Sequence, residues 1–237
     1  MSIAGAMASG TRAIVSYLLP QDCGLCGAPS GDSPLCTECL AGLPRLPAEG
    51  CPQCALPVIG GAICGACLAR TPKFDATRAA FRYGFPVDRL VQSFKYGHRL
   101  AAAEWFAAEL AAAGPTQSDL VIAVPLSTDR LAQRGFNQAL ELARPLARRL
   151  GLPLLVDGVA RARDTAPQAA LPWKDRVRNV RHAFDCTVDL AGRCVMVVDD
   201  VMTTGATLDE LARTLKAHGA IHVENRVIAR ALRDQAA

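Results

Sequence analysis

Apolar residues recur along this chain at two spacings, and the places where the spacing changes divide it into elements. Residues 195–198, Val-Met-Val-Val, are an unbroken apolar run of strand length, whereas Leu208, Leu211, Ala212 and Leu215 return at the helical interval, so a buried strand precedes a helix that starts near Thr207. Residues 74–85 set Ala76, Arg78, Ala80 and Arg82 against Thr77, Ala79, Phe81 and Tyr83, a period-two strand with one wetter face. A short helix from Pro86 carries Leu90, Val91 and Phe94, an Ala-rich helix spans 101–113 before Gly114-Pro115, and 120–124 reads as a second buried strand. Asn137 is a natural N-cap for an amphipathic helix that ends near Gly151 and that Pro145 is expected to kink. Residues 154–160 read as one strand with 183–188 as its partner, and 222–228 as a last strand. The tail from Ala229, with Arg230 and Arg233, reads as a short helix or frayed end, and residues 12–19 as a short apolar helix stopped by Pro20.

Residues 21–72 follow a different rule. Four Cys-x-x-Cys pairs, Cys23 and Cys26, Cys36 and Cys39, Cys51 and Cys54, Cys64 and Cys67, repeat with an offset of 28, which also relates Pro29 to Pro57, Leu40 to Leu68 and Pro44 to Pro72. Each copy holds two tight turns that can present four thiolates tetrahedrally to Zn²⁺, so two closed, structural zinc ribbons are the simplest pairing. A disulfide framework would use the same even count but lacks a secretion signal here, and a redox dithiol needs one such pair, not four. About fifty residues bury too little apolar area to fold without the metal.

Charge limits what these ribbons do. Residues 21–72 carry two basic and four acidic residues, and eight thiolates with two Zn²⁺ add a formal minus four, so the segment is suited to docking on its own larger domain or on a protein partner. From Lys73 onward 23 basic and 18 acidic residues place any phosphate-seeking surface in the larger part. No apolar stretch approaches the roughly 20 residues of a spanning helix, and the start lacks a secretory pattern, so a cytoplasmic location is expected.

The chemistry concentrates at residues 199–207, Asp-Asp-Val-Met-Thr-Thr-Gly-Ala-Thr. Gly205 permits a turn with positive φ, backbone N–H groups at the following helix start favour an anion, and the hydroxyls of Thr203, Thr204 and Thr207 add donors. Asp199 and Asp200 would repel a phosphate unless they face sugar hydroxyls or hydrated Mg²⁺. Acids for a ribose and amides for its 5-phosphate make a cradle. This stretch resembles the phosphoribosyl pyrophosphate (PRPP) motif of type I phosphoribosyltransferases, which implies PRPP binding by Asp199, Asp200, Val201, Met202, Thr203, Thr204, Gly205, Ala206 and Thr207, with Mg²⁺ accompanying the ligand. A βα loop at 125–138 with Arg130 and Arg134 stands where that family has its pyrophosphate loop, giving Pro125, Leu126, Ser127, Arg130 and Arg134 as candidates. Lys95, in Phe94-Lys95-Tyr96-Gly97, belongs to a cationic turn, and the basic segment 161–181, with Arg163 and Gln168, reads either as exposed surface or as a flap that meets departing pyrophosphate.

Together the cysteine pairs, Arg134-Gly135-Phe136-Asn137-Gln138, Arg163-Asp164-Thr165-Ala166-Pro167-Gln168, Arg176-Val177-Arg178-Asn179-Val180 and the PRPP motif resemble the ComF (competence protein F-like) family. The resemblance implies an α/β fold, a type I phosphoribosyltransferase-like parallel sheet flanked by helices with a small hood. Its organisation would be an N-terminal helix at 1–20, a double zinc ribbon at 21–72 and a phosphoribosyltransferase-like domain at 73–237. It further implies a link to natural competence and DNA uptake. Two functions follow as expectations: a phosphoribosyltransferase of unknown acceptor, in which no residue stands out as a general base, or a non-catalytic PRPP, nucleotide or single-stranded-DNA adaptor with Lys95, Arg99, Tyr96 and Trp173 available to nucleic acid.

Overall fold

The computed structural model describes residues 21–47, 49–96, 101–162 and 180–232. A five-stranded, wholly parallel sheet forms the centre, ordered β3 (Ala76–Arg82), β9 (His222–Arg230), β8 (Cys194–Met202), β4 (Leu120–Ala123) and β5 (Leu154–Leu155). The longest strands, β8 and β9, lie inside the sheet, where nearly all their residues are buried. β3, whose burial alternates as its sequence does, takes an edge. Helix α4 (Ala101–Ala112) packs on β3 and β9 and beside α6 (Gln138–Leu150), which covers β4 and β8. Helix α7 (Ala206–Ala217) connects β8 to β9 and packs on β9. An antiparallel pair, β6 (Val159–Arg161) and β7 (Phe184–Cys186), forms a small hood that also touches α7.

The buried charges within β9 have local reasons. Arg226 is fully buried, its Nε 2.6 Å from Glu224, while its Nη atoms donate to the carbonyls of Leu110, Gly114 and Pro115 at 2.8–3.0 Å. These are orphan acceptors at and just beyond the C-terminus of α4, so the guanidinium caps that helix while Glu224, also reached by Thr116 at 2.8 Å, neutralises it.

The two cysteine copies repeat in three dimensions. Cys23 N donates to Ala28 O and Gly27 N to Cys23 O; 28 residues on, Cys51 N donates to Leu56 O and Ala55 N to Cys51 O. Cys36 caps α1 (Thr37–Ala41) as Cys64 caps α2 (Gly65–Ala69). Even the left-handed backbone position recurs, filled by Gly27 (φ 75°) in one copy and Ala55 (φ 58°) in the other. Among the described residues only the first copy has a hairpin, β1 (Gln21–Asp22) with β2 (Pro29–Gly31).

Several expectations need correction. Pro145 does not end helix α6, which continues across it with Leu142, Ala143, Leu146 and Ala147 on either side buried. The single strand expected at 154–160 is two strands in different sheets. Gly158 (φ 89°) turns the chain between them so tightly that a Cβ there would lie 2.2 Å from Val188, and only the second piece pairs with 184–186. The expected loop at 126–138 contains a short helix, α5 (Thr128–Arg134), closed by left-handed Gly135. β8 does not stop at Val198 but pairs with β9 through Met202, and β9 includes Ala229 and Arg230, where the sequence leads one to expect a tail. The helix expected at 12–19 lies outside the described residues.

Candidate functional site

Because β8 continues past its apolar run, Asp199 and Asp200 stand on the carboxyl end of a central strand, with strand alternation sending them to opposite sides. Each is steadied by the next amide: Asp200 N donates to Asp199 Oδ1 at 2.8 Å and Val201 N to Asp200 Oδ1 at 2.6 Å. The chain then turns at Thr203 and Thr204 into α7, with Gly205 (φ 81°) as N-cap and the Thr204 hydroxyl accepting from Ala206 N at 3.1 Å. A Cβ on Gly205 would lie 2.6 Å from Met202 Cε, so the turn is packed from behind by Met202 and more loosely by Phe74. Met202, 2% exposed, therefore turns its side chain away from the turn's ligand side into the interior.

Two cations act on the acids, Lys95 and Arg161, and a third, Arg134, stands beside Lys95. Lys95, in the last turn of α3 (Val87–Tyr96), places Nζ 2.6 Å from Asp200 Oδ2. Burial opposes its charge, but Asp200 and then Asp199 outweigh that cost and hold the ammonium above its ordinary value. Arg134, at the end of α5, adds its field to Lys95 and donates to Gln138 Oε1 at 3.0 Å, while Gln138 Nε2 reaches Lys95 O at 3.5 Å. Arg161 of the hood, 5.5 Å above the Phe184 ring, acts on Asp199. Burial first, then the charge of Asp200, pushes Asp199 up to about 7 in spite of these cations.

The pyrophosphate-loop candidates lie across from this pair. Val124 N bonds Val198 O at 2.9 Å and Asn137 Nδ2 bonds Val124 O at 3.1 Å, tying residues 124–127 to the end of β8. Pro125 and Leu126 are half-buried, and Ser127, 3% exposed, begins α5, which carries Arg130 and Arg134. Arg163 and Gln168 of the flap, and Arg99 and Trp173, lie outside the described residues, as does the side chain of Tyr96.

The eight knuckle cysteines form two tetrads, Cys23, Cys26, Cys36, Cys39 and Cys51, Cys54, Cys64, Cys67, with the sulfurs of each within 4.8 Å of one another. Cys26 and Cys36 sulfurs are 3.7 Å apart and Cys54 and Cys64 sulfurs 3.5 Å, close to the roughly 3.8 Å edge of a tetrahedron built on about 2.3 Å zinc–sulfur bonds. All-thiolate donor sets of this size fit two structural zinc ions. At Cys51 burial opposes ionisation, yet the Cys64 amide, 3.4 Å away, and that of Cys54 outweigh it and bring the thiol down to about 7.

One residue near the loop has no counterpart among the sequence candidates. Arg230, 3% exposed, donates through Nε to Cys54 O at 2.7 Å and through Nη1 to the carbonyls of Met202, Thr203 and Ala231. It joins the second tetrad to the turn that follows β8. Its one sequence signal is an arginine two positions past an apolar strand, which equally describes an exposed tail.

Comparison with known proteins agrees with this architecture. Residues 14–68 match the double zinc ribbon domain and residues 137–236 the phosphoribosyl transferase domain. The chain is 40% identical over 114 residues to DNA utilization protein YhgH of Escherichia coli (strain K12), 48% of this chain and 50% of that one. It is 39% identical over 116 residues to Competence protein F of Haemophilus influenzae, covering 48% and 51%. The chain thus spans about half the length of the curated relatives it matches. Among solved structures, the glutamine PRPP amidotransferase of B. subtilis overlays 65% of this chain and 32% of its own at 19% identity and a TM-score of 0.41, which adds nothing to the sheet order. Fold and tetrads define a phosphoribosyl transferase domain carrying a double zinc ribbon. That pairing and these relatives agree with the ComF family that the motifs resemble.

Proposed function

We propose that this protein binds PRPP with Mg²⁺ at the end of β8 and transfers its phosphoribosyl group to an acceptor. The observation that carries the reading is the placement of Asp199 and Asp200 on a strand end immediately before a Gly205-capped helix, within the field of the Lys95 and Arg161 cations. In this reading the two carboxylates accept from the ribose hydroxyls or from metal-bound water. The amides and hydroxyls of Thr203, Thr204, Gly205, Ala206 and Thr207 hold the 5-phosphate, with Val201 and Met202 supplying backbone. Pro125, Leu126, Ser127, Arg130, Arg134 and Lys95, with Arg163 and Gln168 of the flap, meet the pyrophosphate. Mg²⁺ would neutralise polyphosphate charge. Lys95 neutralises Asp200 in the free protein and is positioned to exchange that carboxylate for a phosphate. As pyrophosphate leaves, positive charge grows on the sugar, and the oxygens around it are the stabilising groups.

A second reading is kept by the relatives, named for DNA utilization and for competence: the same cradle serves a single-stranded-DNA or nucleotide adaptor without chemistry. Titration of the zinc-loaded protein with PRPP and Mg²⁺, followed by a pyrophosphate-release screen over bases, nucleosides and single-stranded DNA, separates them. Release abolished by Asp199→Asn with Asp200→Asn supports the transferase. Salt-dependent DNA binding indifferent to that double substitution supports the adaptor. Absence of PRPP binding at millimolar concentration overturns the cradle itself.

A further inference from the structure

Resting on that reading of the 203–207 turn, we propose that Arg230 is the residue that positions it, and that through Arg230 the turn depends on the second cysteine tetrad and not on the first. A trans peptide points its C=O and N–H in opposite directions, so whatever holds a carbonyl also aims the next amide. The peptides after Met202 and Thr203 are trans, and both carbonyls are drawn to Arg230 Nη1, at 3.0 Å for Met202 and closer still for Thr203. The N–H groups of Thr203 and Thr204 are thereby directed away from the guanidinium. Met202 O also accepts from Ala231 N at 2.9 Å, so the sheet already fixes it, whereas Thr203 O lies beyond the ladder and relies on Arg230. Without the guanidinium that carbonyl is free to rotate toward the ligand side, where it would repel a phosphate.

The other end of Arg230 sets the dependence on zinc. Its Nε donates to Cys54 O, a carbonyl inside a turn of the second tetrad, and the same copy reaches the start of α7 through Arg70, 3.5 Å from Asp209, which also accepts from the N–H of Lys73, the first residue after the copy, at 2.5 Å. The first copy reaches the larger domain farther from the turn, at α4 and the far end of β3: Arg45 bonds Glu109 at 2.6 and 3.1 Å and Arg82 N bonds Pro44 O at 2.8 Å, whereas the second copy meets β3 at its start, where Thr77 N bonds Pro52 O at 3.1 Å. A cleft of about 400 Å³ opens beside Arg230, lined by Cys54, Cys67, Arg70, Phe74 and Met202, so a small cation can reach the place a shortened side chain would vacate.

The test uses the full zinc-loaded chain. Arg230→Ala is expected to bind PRPP with Mg²⁺ about ten- to a hundredfold more weakly, to speed amide exchange at 203–207 while leaving 121–123 protected, and to recover both properties in dilute guanidinium but not in sodium chloride of equal strength. Arg230→Lys should fall between the two. In the free protein, Cys54→Ser should speed exchange at 203–207 and Cys26→Ser should not. Turn protection and affinity unchanged in Arg230→Ala, or equal opening by the two cysteine variants, overturns the proposal. If Arg230→Ala does not fold, Arg230→Lys and the cysteine pair decide it. If the wild type does not bind PRPP, the ligand reading falls, and the exchange measurements on the free protein still decide whether Arg230 and the second tetrad hold the turn.

Discussion

The two cysteine copies share their ligand spacing, their knuckle hydrogen bonds and a left-handed position, yet their surroundings differ. In the first, Cys26 is exposed and Cys39 half-buried, and the following segment runs antiparallel to the edge strand β3, with Arg45 opposite Phe81 and its guanidinium 5.2 Å from the ring. In the second all four cysteines are buried, and the copy lies against Asp209, Phe74 and Arg230 around the 203–207 turn. Duplication preserved the four-thiol sets, which are local, while the larger domain placed the first copy along β3 and α4 and the second against the start of β3 and the back of the 203–207 turn. The charged contacts across the boundary run against the ribbons' acidic balance: their two basic residues, Arg45 and Arg70, meet Glu109 and Asp209 of the larger domain.

The largest effect should come from removing one ligand in each copy. Cys54→Ser is expected to cost about 4 kcal/mol or more of stability in a denaturant titration, whereas Cys26→Ser, at an exposed ligand that water can replace, should cost less. Metal analysis of the wild type should return about two zinc ions per chain. Equal losses from the two substitutions would erase the distinction drawn between the copies.

Next in size is Gly205→Ala. The φ of 81° and the approach of Met202 predict a loss of about 1 to 3 kcal/mol, accompanied by weaker PRPP binding, measured by denaturation and calorimetry on one preparation. Full stability with lost binding would confine the glycine to the ligand.

A gentler probe is pH. Asp199 is raised to about 7, so the folded protein holds this proton more tightly than the unfolded chain. Its contribution is complete below the ordinary carboxylate range and is lost as pH rises through about 7. Stability should therefore decline across that window by at most about 1.4 kcal/mol per pH unit, and Asp199→Asn should flatten the decline. An unchanged slope in that variant would assign the effect to other groups. Smallest of all, Ala55→Gly should stabilise the second copy by up to about 1 kcal/mol, seen as a small rise in melting temperature, because the first copy already has Gly27 at the matching position.

Much of the candidate site is legible in the sequence. Two acids after an apolar run, a glycine in a threonine-rich turn and eight periodic cysteines each state a local requirement, whether for charge, positive φ or thiolate number, that does not depend on distant residues. Strand ends were less legible, because pairing sets them. Asp199–Met202 belong to β8 only because β9 continues alongside to Arg230. Gly158 hid a change of sheet within what reads as one strand.

By itself, then, the sequence determined the two tetrads, the acid pair and the glycine turn, since each is built from neighbours along the chain. Only the tertiary structure decided that Lys95 would sit 2.6 Å from Asp200 and that Arg230 would join Cys54 to Thr203, contacts across 105, 176 and 27 positions. Such contacts cannot be read from spacing, because a charged side chain in an apolar neighbourhood is worth burying only where the fold supplies its partners. For Arg230 those partners are carbonyls, which every residue carries and no sequence pattern marks.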